Sequence, residues 1–227
     1  IGTPHHARLV ERLIEWCAAS VACGRRLQPS HGMRLVVVGK GGFSAAVQER
    51  ILRQCTTCDV VATVSKRASR LELDAVLSRP DVDCVYVASP RSTRADVIRT
   101  ALRFRKAVLC EQPVPELSDA LRLARESGCF LGVASQRRFA PKFQRAKDFL
   151  TLLGSDVNEV AIESKEPLKP VDDPLALVNK GVVNDVDTLA WLFDQGEAEI
   201  KIDSIAFGHE GNGVTARYTV FLKQHDK

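Results

Sequence analysis

Long apolar runs are missing from this sequence: no stretch approaches the roughly 18 uncharged apolar residues that a membrane-spanning helix needs, so a soluble protein is expected. Blocks of like charge are missing too. The net charge of +4 comes from 32 basic and 28 acidic residues spread along the chain, with no basic arm of the kind that grips DNA or RNA. Neither a membrane nor a nucleic-acid partner is expected. Internal repeats and low-complexity tracts are also lacking, which excludes repeat architectures.

A metal centre has little to stand on. The pattern C-x-x-C occurs once, at Cys55-Thr56-Thr57-Cys58, without a second pair or a suitably spaced set of histidines, so zinc is not expected. It falls at the end of a helical pattern, whereas a reactive thiol favours a helix N-terminus. The seven cysteines (Cys17, Cys23, Cys55, Cys58, Cys84, Cys110, Cys129) are odd in number, and several lie inside apolar runs where a reduced thiol acts as a small hydrophobe. That usage points to a reducing compartment, the cytoplasm. An initiator methionine is absent as well, and Ile1 in its place points to a segment of something longer. Arg8, Glu11, Arg12 and Glu15 interrupt any secretory apolar core near the start.

What is present is a regular alternation. Residues 1–32 read as an N-terminal helical extension, with Thr3-Pro4 as its start and Gly24 as its stop. Strand-like runs follow at 34–38, 60–64, 83–89, 107–111 and 129–135, separated by helical patterns near 44–55, 68–78, 93–104 and 116–127. Val-rich strands alternating with amphipathic helices predict an α/β doubly wound parallel sheet over residues 33–140.

The pattern changes over 141–227, where a smaller α+β domain with an open sheet is expected. A helix at 141–153 leads to EVAIES (159–164), a loop through Pro167, Pro170 and Pro174, a helix around Asp185 to Phe193, and strands at 200–208 and 214–223 joined by a hairpin turn. So thin a domain reads as truncated or as lacking loops.

The first strand runs into Gly39-Lys40-Gly41-Gly42-Phe43-Ser44, a G-x-G-x-x-G pattern with serine in the third glycine position. A preceding strand and a following helix are what a dinucleotide fingerprint requires, because glycines let the backbone approach the pyrophosphate at the helix N-terminus. The alternative is a glycine-rich turn that holds no nucleotide. The second strand ends in Ser65-Lys66-Arg67, where an NAD site would carry an acid; a hydroxyl with two cations suits a 2′-phosphate and makes NADP the preferred cofactor over NAD. A solvated basic turn is the competing reading.

VVVGKGGFSAA, then DVDCVYVASPRSTRADVIRTALRFRKAVLCEQPV, then GVASQRRFAPKF resemble the glucose-fructose oxidoreductase / inositol dehydrogenase / MocA family in motif, order and spacing. The resemblance spans residues 33–165 and, less closely, 181–193. It implies a Rossmann domain, a C-terminal open-sheet domain, NAD or NADP between them, and oxidation of a polyol, inositol, sugar or related hydroxy compound. It also implies a homo-oligomer assembled through the C-terminal sheet.

Three departures stand out. The family's Glu-Lys-Pro is Glu111-Gln112-Pro113 here, so Gln112 stands where the resemblance places a lysine near the nicotinamide and the reacting hydroxyl. The loop SPRSTRAD offers Arg94 where the family often has histidine. The second-domain His-x-x-Asp becomes Asn184 and Asp187, so the histidine that commonly acts as general base is missing. Glutamine and asparagine are neutral and carry no proton at working pH, and loss of a positioned acid or base costs about 10²- to 10⁴-fold in rate.

The resemblance thus implies cofactor contacts from Gly39, Gly41, Gly42, Phe43, Ser65, Lys66, Arg67, Ser89, Pro90 and Glu111, with Gln112, Asn184 and Asp187 facing a small-molecule substrate. Asp185 reads equally well as a helix cap. Arg137, Arg138 and Phe139 mark the crossover into the second domain. A catalytically silent nucleotide-binding homologue, a sensor or assembly protein, is the rival reading.

Overall fold

A computed structural model describes residues 32–39, 58–65, 67–153, 159–168, 174–193, 199–210 and 213–223. The chain divides between Gln136 and Arg137 into two units, a few residues ahead of the expected boundary. The N-terminal extension, the helix near 44–55, the loop residues 40–44, Lys66 and the thiols of Cys17, Cys23 and Cys55 lie outside the described residues.

The first unit is built on a five-stranded sheet of β1 (Met33–Val38), β2 (Cys58–Val64), β3 (Cys84–Val87), β4 (Ala107–Glu111) and β5 (Leu131–Ala134). Every pair is parallel, in the order β2-β1-β3-β4-β5. Helices α1 (Arg70–Leu77), α2 (Arg91–Arg103) and α3 (Leu117–Ser127) connect β2 to β5. Val36, Val38, Val85, Val87, Val108 and Cys110 form one buried face, packed with Leu73 and Leu77 of α1, Ile98 and Ala101 of α2, and Ala120 and Ala124 of α3. Leu35, Val37, Tyr86 and Leu109, on the opposite face, are buried as well. Burial on both faces explains why these strands read as continuous apolar runs.

The strands are shorter than the sequence pattern predicts at two places. β3 begins at Cys84 and ends at Val87, short of the expected 83–89 at both ends, and Cys129 and Phe130 are used in leaving α3 before β5 begins. Gly128 closes α3 in the left-handed conformation, φ 63°, which glycine adopts without a Cβ clash. Helix α1 starts on a serine N-cap: Ser69 Oγ accepts from the Glu72 amide at 3.2 Å.

The second unit holds α4 (Pro141–Leu153), α5 (Pro174–Phe193) and a three-stranded antiparallel sheet in the order β6-β8-β7, from β6 (Glu159–Leu168), β7 (Glu199–Glu210) and β8 (Gly213–Lys223). Two expectations are corrected here. Pro167 lies within β6, opposite Thr215, rather than in a loop; β6 is an edge strand, where a missing N–H is tolerated. The helix expected around Asp185 begins at Pro174, whose fixed φ and absent N–H suit the first helical position. Asp185 is therefore mid-helix and caps nothing.

Among the described residues, no helix is long and apolar enough to cross a membrane, and no group of three or more His, Cys, Asp or Glu is placed to hold a metal ion.

Candidate functional site

Register decides which residues meet. Val64, Val38, Val87, Cys110 and Val133 form one row across all five strands. The next residues along, Ser65, Gly39, Ala88, Glu111 and Ala134, therefore share the C-terminal edge of the sheet, with Ser89, Gln112 and Ser135 just beyond. The order β2-β1-β3 reverses direction at β1, so a topological switch point falls between the ends of β1 and β3, where open α/β sheets keep their ligands.

Gly39 sits at that point. Its amide donates to the Val64 carbonyl, while the Ala88 amide donates to the Val38 carbonyl, both at 2.9 Å. Its φ is 134°, and a Cβ there would lie 2.7 Å from the Ala88 carbonyl oxygen. Only glycine lets the β1 and β3 ends approach this closely. Gly41, Gly42 and Phe43 lie outside the described residues, as does Lys66.

At the end of β2, Ser65 Oγ accepts from the Arg67 amide at 3.3 Å, and the Ala68 amide donates to the Ser65 carbonyl at 3.0 Å. This turn leaves the Arg67 side chain exposed, with no ion-pair partner among the described residues. Pro90 precedes the first residue of α2 and is exposed. Ser89 is only 2% exposed, and its Oγ has no hydrogen-bond partner among the described residues.

The end of β4 is wired more heavily. The Tyr86 hydroxyl donates to Glu111 Oε1, which also accepts from Gln136 Nε2 at 3.3 Å. Burial first, and then the Glu111 carboxylate, push the Tyr86 phenol well above its ordinary value, so it stays a hydrogen-bond donor. Burial likewise pushes the Cys110 thiol up to about 12, against the pull of Arg94. That thiol is an inert core group. Gln112 Nε2 donates to Ser135 Oγ at 3.0 Å, while its buried Oε1 has no partner among the described residues.

Arg94, in the first turn of α2, donates to three backbone carbonyls: Nε to Ser89 at 2.8 Å, and Nη1 to Glu111 and Pro113 at 2.9 Å each. The sequence marks Arg94 only as a replacement for histidine and does not mark Tyr86, Ser135 or Gln136. The available signal was that β2, β3 and β5 each run out into serine, at Ser65, Ser89 and Ser135.

Asn184 and Asp187 belong to the second unit. Asp187 receives Arg138 on both oxygens, with Nε at 3.2 Å from Oδ2 and an Nη donating to Oδ1. The fully buried Asp185 pairs with Arg137, and the Asn184 carbonyl accepts from Thr188 Oγ1 at 2.6 Å. Phe139 ends the short 3-10 turn Gln136–Phe139 that carries both arginines.

Comparison with known proteins adds an independent line. Residues 33–135 match the family model described as an oxidoreductase family with an NAD-binding Rossmann fold, GFO_IDH_MocA. The inositol 2-dehydrogenase of Mycolicibacterium smegmatis is 27% identical over 192 residues, covering 75% of this chain and 55% of the relative. An uncharacterized oxidoreductase of Bacillus subtilis is 37% identical over 76 residues, covering 32% of this chain and 22% of its own length. Among solved structures, scyllo-inositol dehydrogenase from Lactobacillus casei with bound NAD(H) and scyllo-inositol superposes with a TM-score of 0.62 at 16% identity, covering 79% of this chain and 61% of that one. This last likeness is one of fold. The chain spans about half the length of the inositol 2-dehydrogenases that it matches over most of its own.

Proposed function

We propose that this chain, whose residues 33–135 match the GFO_IDH_MocA oxidoreductase family model, binds NADP, or less favourably NAD, at the C-terminal ends of β1, β3 and β4 and oxidises a CH–OH group of a polyol, inositol, sugar or related compound. The observation that carries this reading is the pair of buried polar atoms without partners among the described residues, Ser89 Oγ and Gln112 Oε1, at the ends of β3, which borders the switch point, and of its neighbour β4. Burying such a group unpaired costs about 1–3 kcal/mol, a cost that a ligand hydrogen bond at the same atom removes.

The residues present fit a nicotinamide dinucleotide. Gly39 keeps the switch point free of any Cβ, as close backbone approach to a pyrophosphate demands. Gly41, Gly42 and Phe43 follow it in the fingerprint, and Ser89, Pro90 and Glu111 line the ends of β3 and β4. Ser65, Lys66 and the exposed Arg67 supply the hydroxyl and cations for a 2′-phosphate, which supports NADP. When bound, the nicotinamide supplies the hydride acceptor.

Gln112 has its amide nitrogen committed to Ser135 and so offers an acceptor, suited to a ligand N–H or O–H. It orients a group and moves no proton. The relatives named as inositol dehydrogenases support the polyol class for this chain's substrate. Assembly through the β6-β8-β7 sheet belongs to the same reading, with mass by light scattering as its check.

A second reading, a nucleotide-binding protein without turnover, is favoured by the absence of a proton carrier at Gln112 and Asn184 and by the engagement of Asp187 with Arg138. Titration with NADPH and NADH, followed by nicotinamide fluorescence, tests the binding shared by both readings. Turnover of inositols then separates them. Gln112→Lys combined with Asn184→His should raise turnover; cofactor binding with no turnover in either protein favours the silent homologue, and binding of neither nucleotide sinks both.

A further inference from the structure

We propose that Arg94 is the positioning residue of this site, holding the ends of β3 and β4 in the spacing at which Ser89 and Gln112 meet a ligand; the inference rests on the nucleotide reading above. Its three acceptors are not scattered. The Ser89 carbonyl belongs to the residue whose Oγ lacks a partner. The Glu111 and Pro113 carbonyls flank the residue whose Oε1 lacks one. One guanidinium therefore fixes the backbone at or on both sides of each unpartnered side chain.

The choice of arginine follows from geometry. Five donors on a rigid plane reach carbonyls of two loops at once, whereas a lysine ammonium is a single point on a flexible stem. Local helix energetics do not ask for it. A cation in the first turn of α2, which has no acidic residue, opposes the helix macrodipole. Its place is explained by what it holds.

Sequence separation supports the same assignment. Arg94 lies 5 residues from Ser89 but 17 and 19 from Glu111 and Pro113, so the clamp joins strand ends that are distant in the chain. Carbonyls held in this way keep the ends of β3 and β4 at a fixed spacing. The fixed carbonyls in turn fix where the Ser89 hydroxyl and the Gln112 amide point.

The test compares Arg94→Lys and Arg94→Ala with Arg34→Ala in the full chain. The Arg34 side chain makes a two-bond clamp on Asp83 at the opposite end of the sheet, so its loss controls for the structural cost of removing an arginine that bridges two strands. Melting temperatures are recorded, and NADPH and NADH affinities are measured well below every melting point. Arg94→Lys should weaken the better-bound nucleotide by about tenfold or more while Arg34→Ala changes it by less than about twofold. Millimolar guanidinium should restore part of the binding lost in Arg94→Ala.

Wild-type affinity in Arg94→Lys overturns the proposal, as does an equal loss in Arg34→Ala. If Arg94→Ala does not fold, the lysine variant decides alone. Wild-type protein that binds neither nucleotide brings down the site reading and this inference together, a result distinct from failure of the clamp alone.

Discussion

The two ends of the five-stranded sheet use the same kinds of side chain to opposite effect. At the N-terminal end, Arg34 grips both oxygens of Asp83 at 3.0 and 3.1 Å, and the Arg34 amide donates to the same carboxylate at 2.9 Å. Lys106, buried, donates to the Arg79 and Val82 carbonyls at 2.7 and 2.8 Å. At the C-terminal end Arg94 ties three carbonyls, yet Ser89 Oγ and Gln112 Oε1 stay unpaired and Gly39 holds space where a Cβ would collide. One end spends its polar groups on the fold. The other withholds two of them, which is the arrangement that the proposed ligand site requires.

The harshest way to break the comparison is Gly39→Ala. The new Cβ meets a backbone carbonyl at 2.7 Å, and the φ of 134° is strained for any L side chain. A loss of about 1–3 kcal/mol is expected from the backbone conformation alone, with more from displacement of the β3 end. Urea unfolding measures the stability, and nucleotide titration of the folded fraction should show binding abolished. Unchanged affinity would remove Gly39 from the site.

Asp83→Asn probes the closed end. Burial draws the Asp83 carboxyl upward, but its hydrogen bonds from the Arg34 side chain and amide outweigh that and leave it below its ordinary value of 3.8. A depressed folded value means that the stabilisation is present above the unfolded value and is lost as pH falls through the folded one. The variant should therefore lose about 1–2 kcal/mol at pH 7, begin to converge with wild type only as pH falls below 3.8 and meet it below the still lower folded value, and bind nucleotide as wild type does. Denaturant melts across that pH range check it, and a gap that persists at low pH would assign the effect to something other than the ion pair.

How much of this was legible beforehand differs between the two units. The Val-rich runs put Val38, Val87 and Cys110 in strands because full burial needs no alternation, and once the strands are in register the site row follows. Gly39 was legible because a glycine at a strand-to-helix turn has few other reasons to be there. Arg94 was not, because a first-turn arginine reaching carbonyls 17 and 19 residues later leaves no local trace. In the second unit, Pro167 and Pro174 read as loop residues although an edge strand and a helix start each accommodate a proline. Asp187 was expected to face substrate on family resemblance alone, and its pairing with Arg138 comes from a short turn 49 residues earlier, beyond any local pattern.

The gentlest test is Ser89→Ala, which turns on sign rather than size. Removing a polar group from the closed end breaks hydrogen bonds and costs stability. At Ser89 no bond is broken: the Oγ is buried and unpartnered, so deleting it also deletes its desolvation cost. The variant should be as stable as wild type or more stable by up to about 1 kcal/mol, while nucleotide affinity falls several-fold. Stability and binding would then move in opposite directions after loss of a single oxygen, as expected of a group kept for a ligand. If both fall together, Ser89 has a partner within the fold, and the contrast between the two ends of the sheet narrows to Gln112 alone.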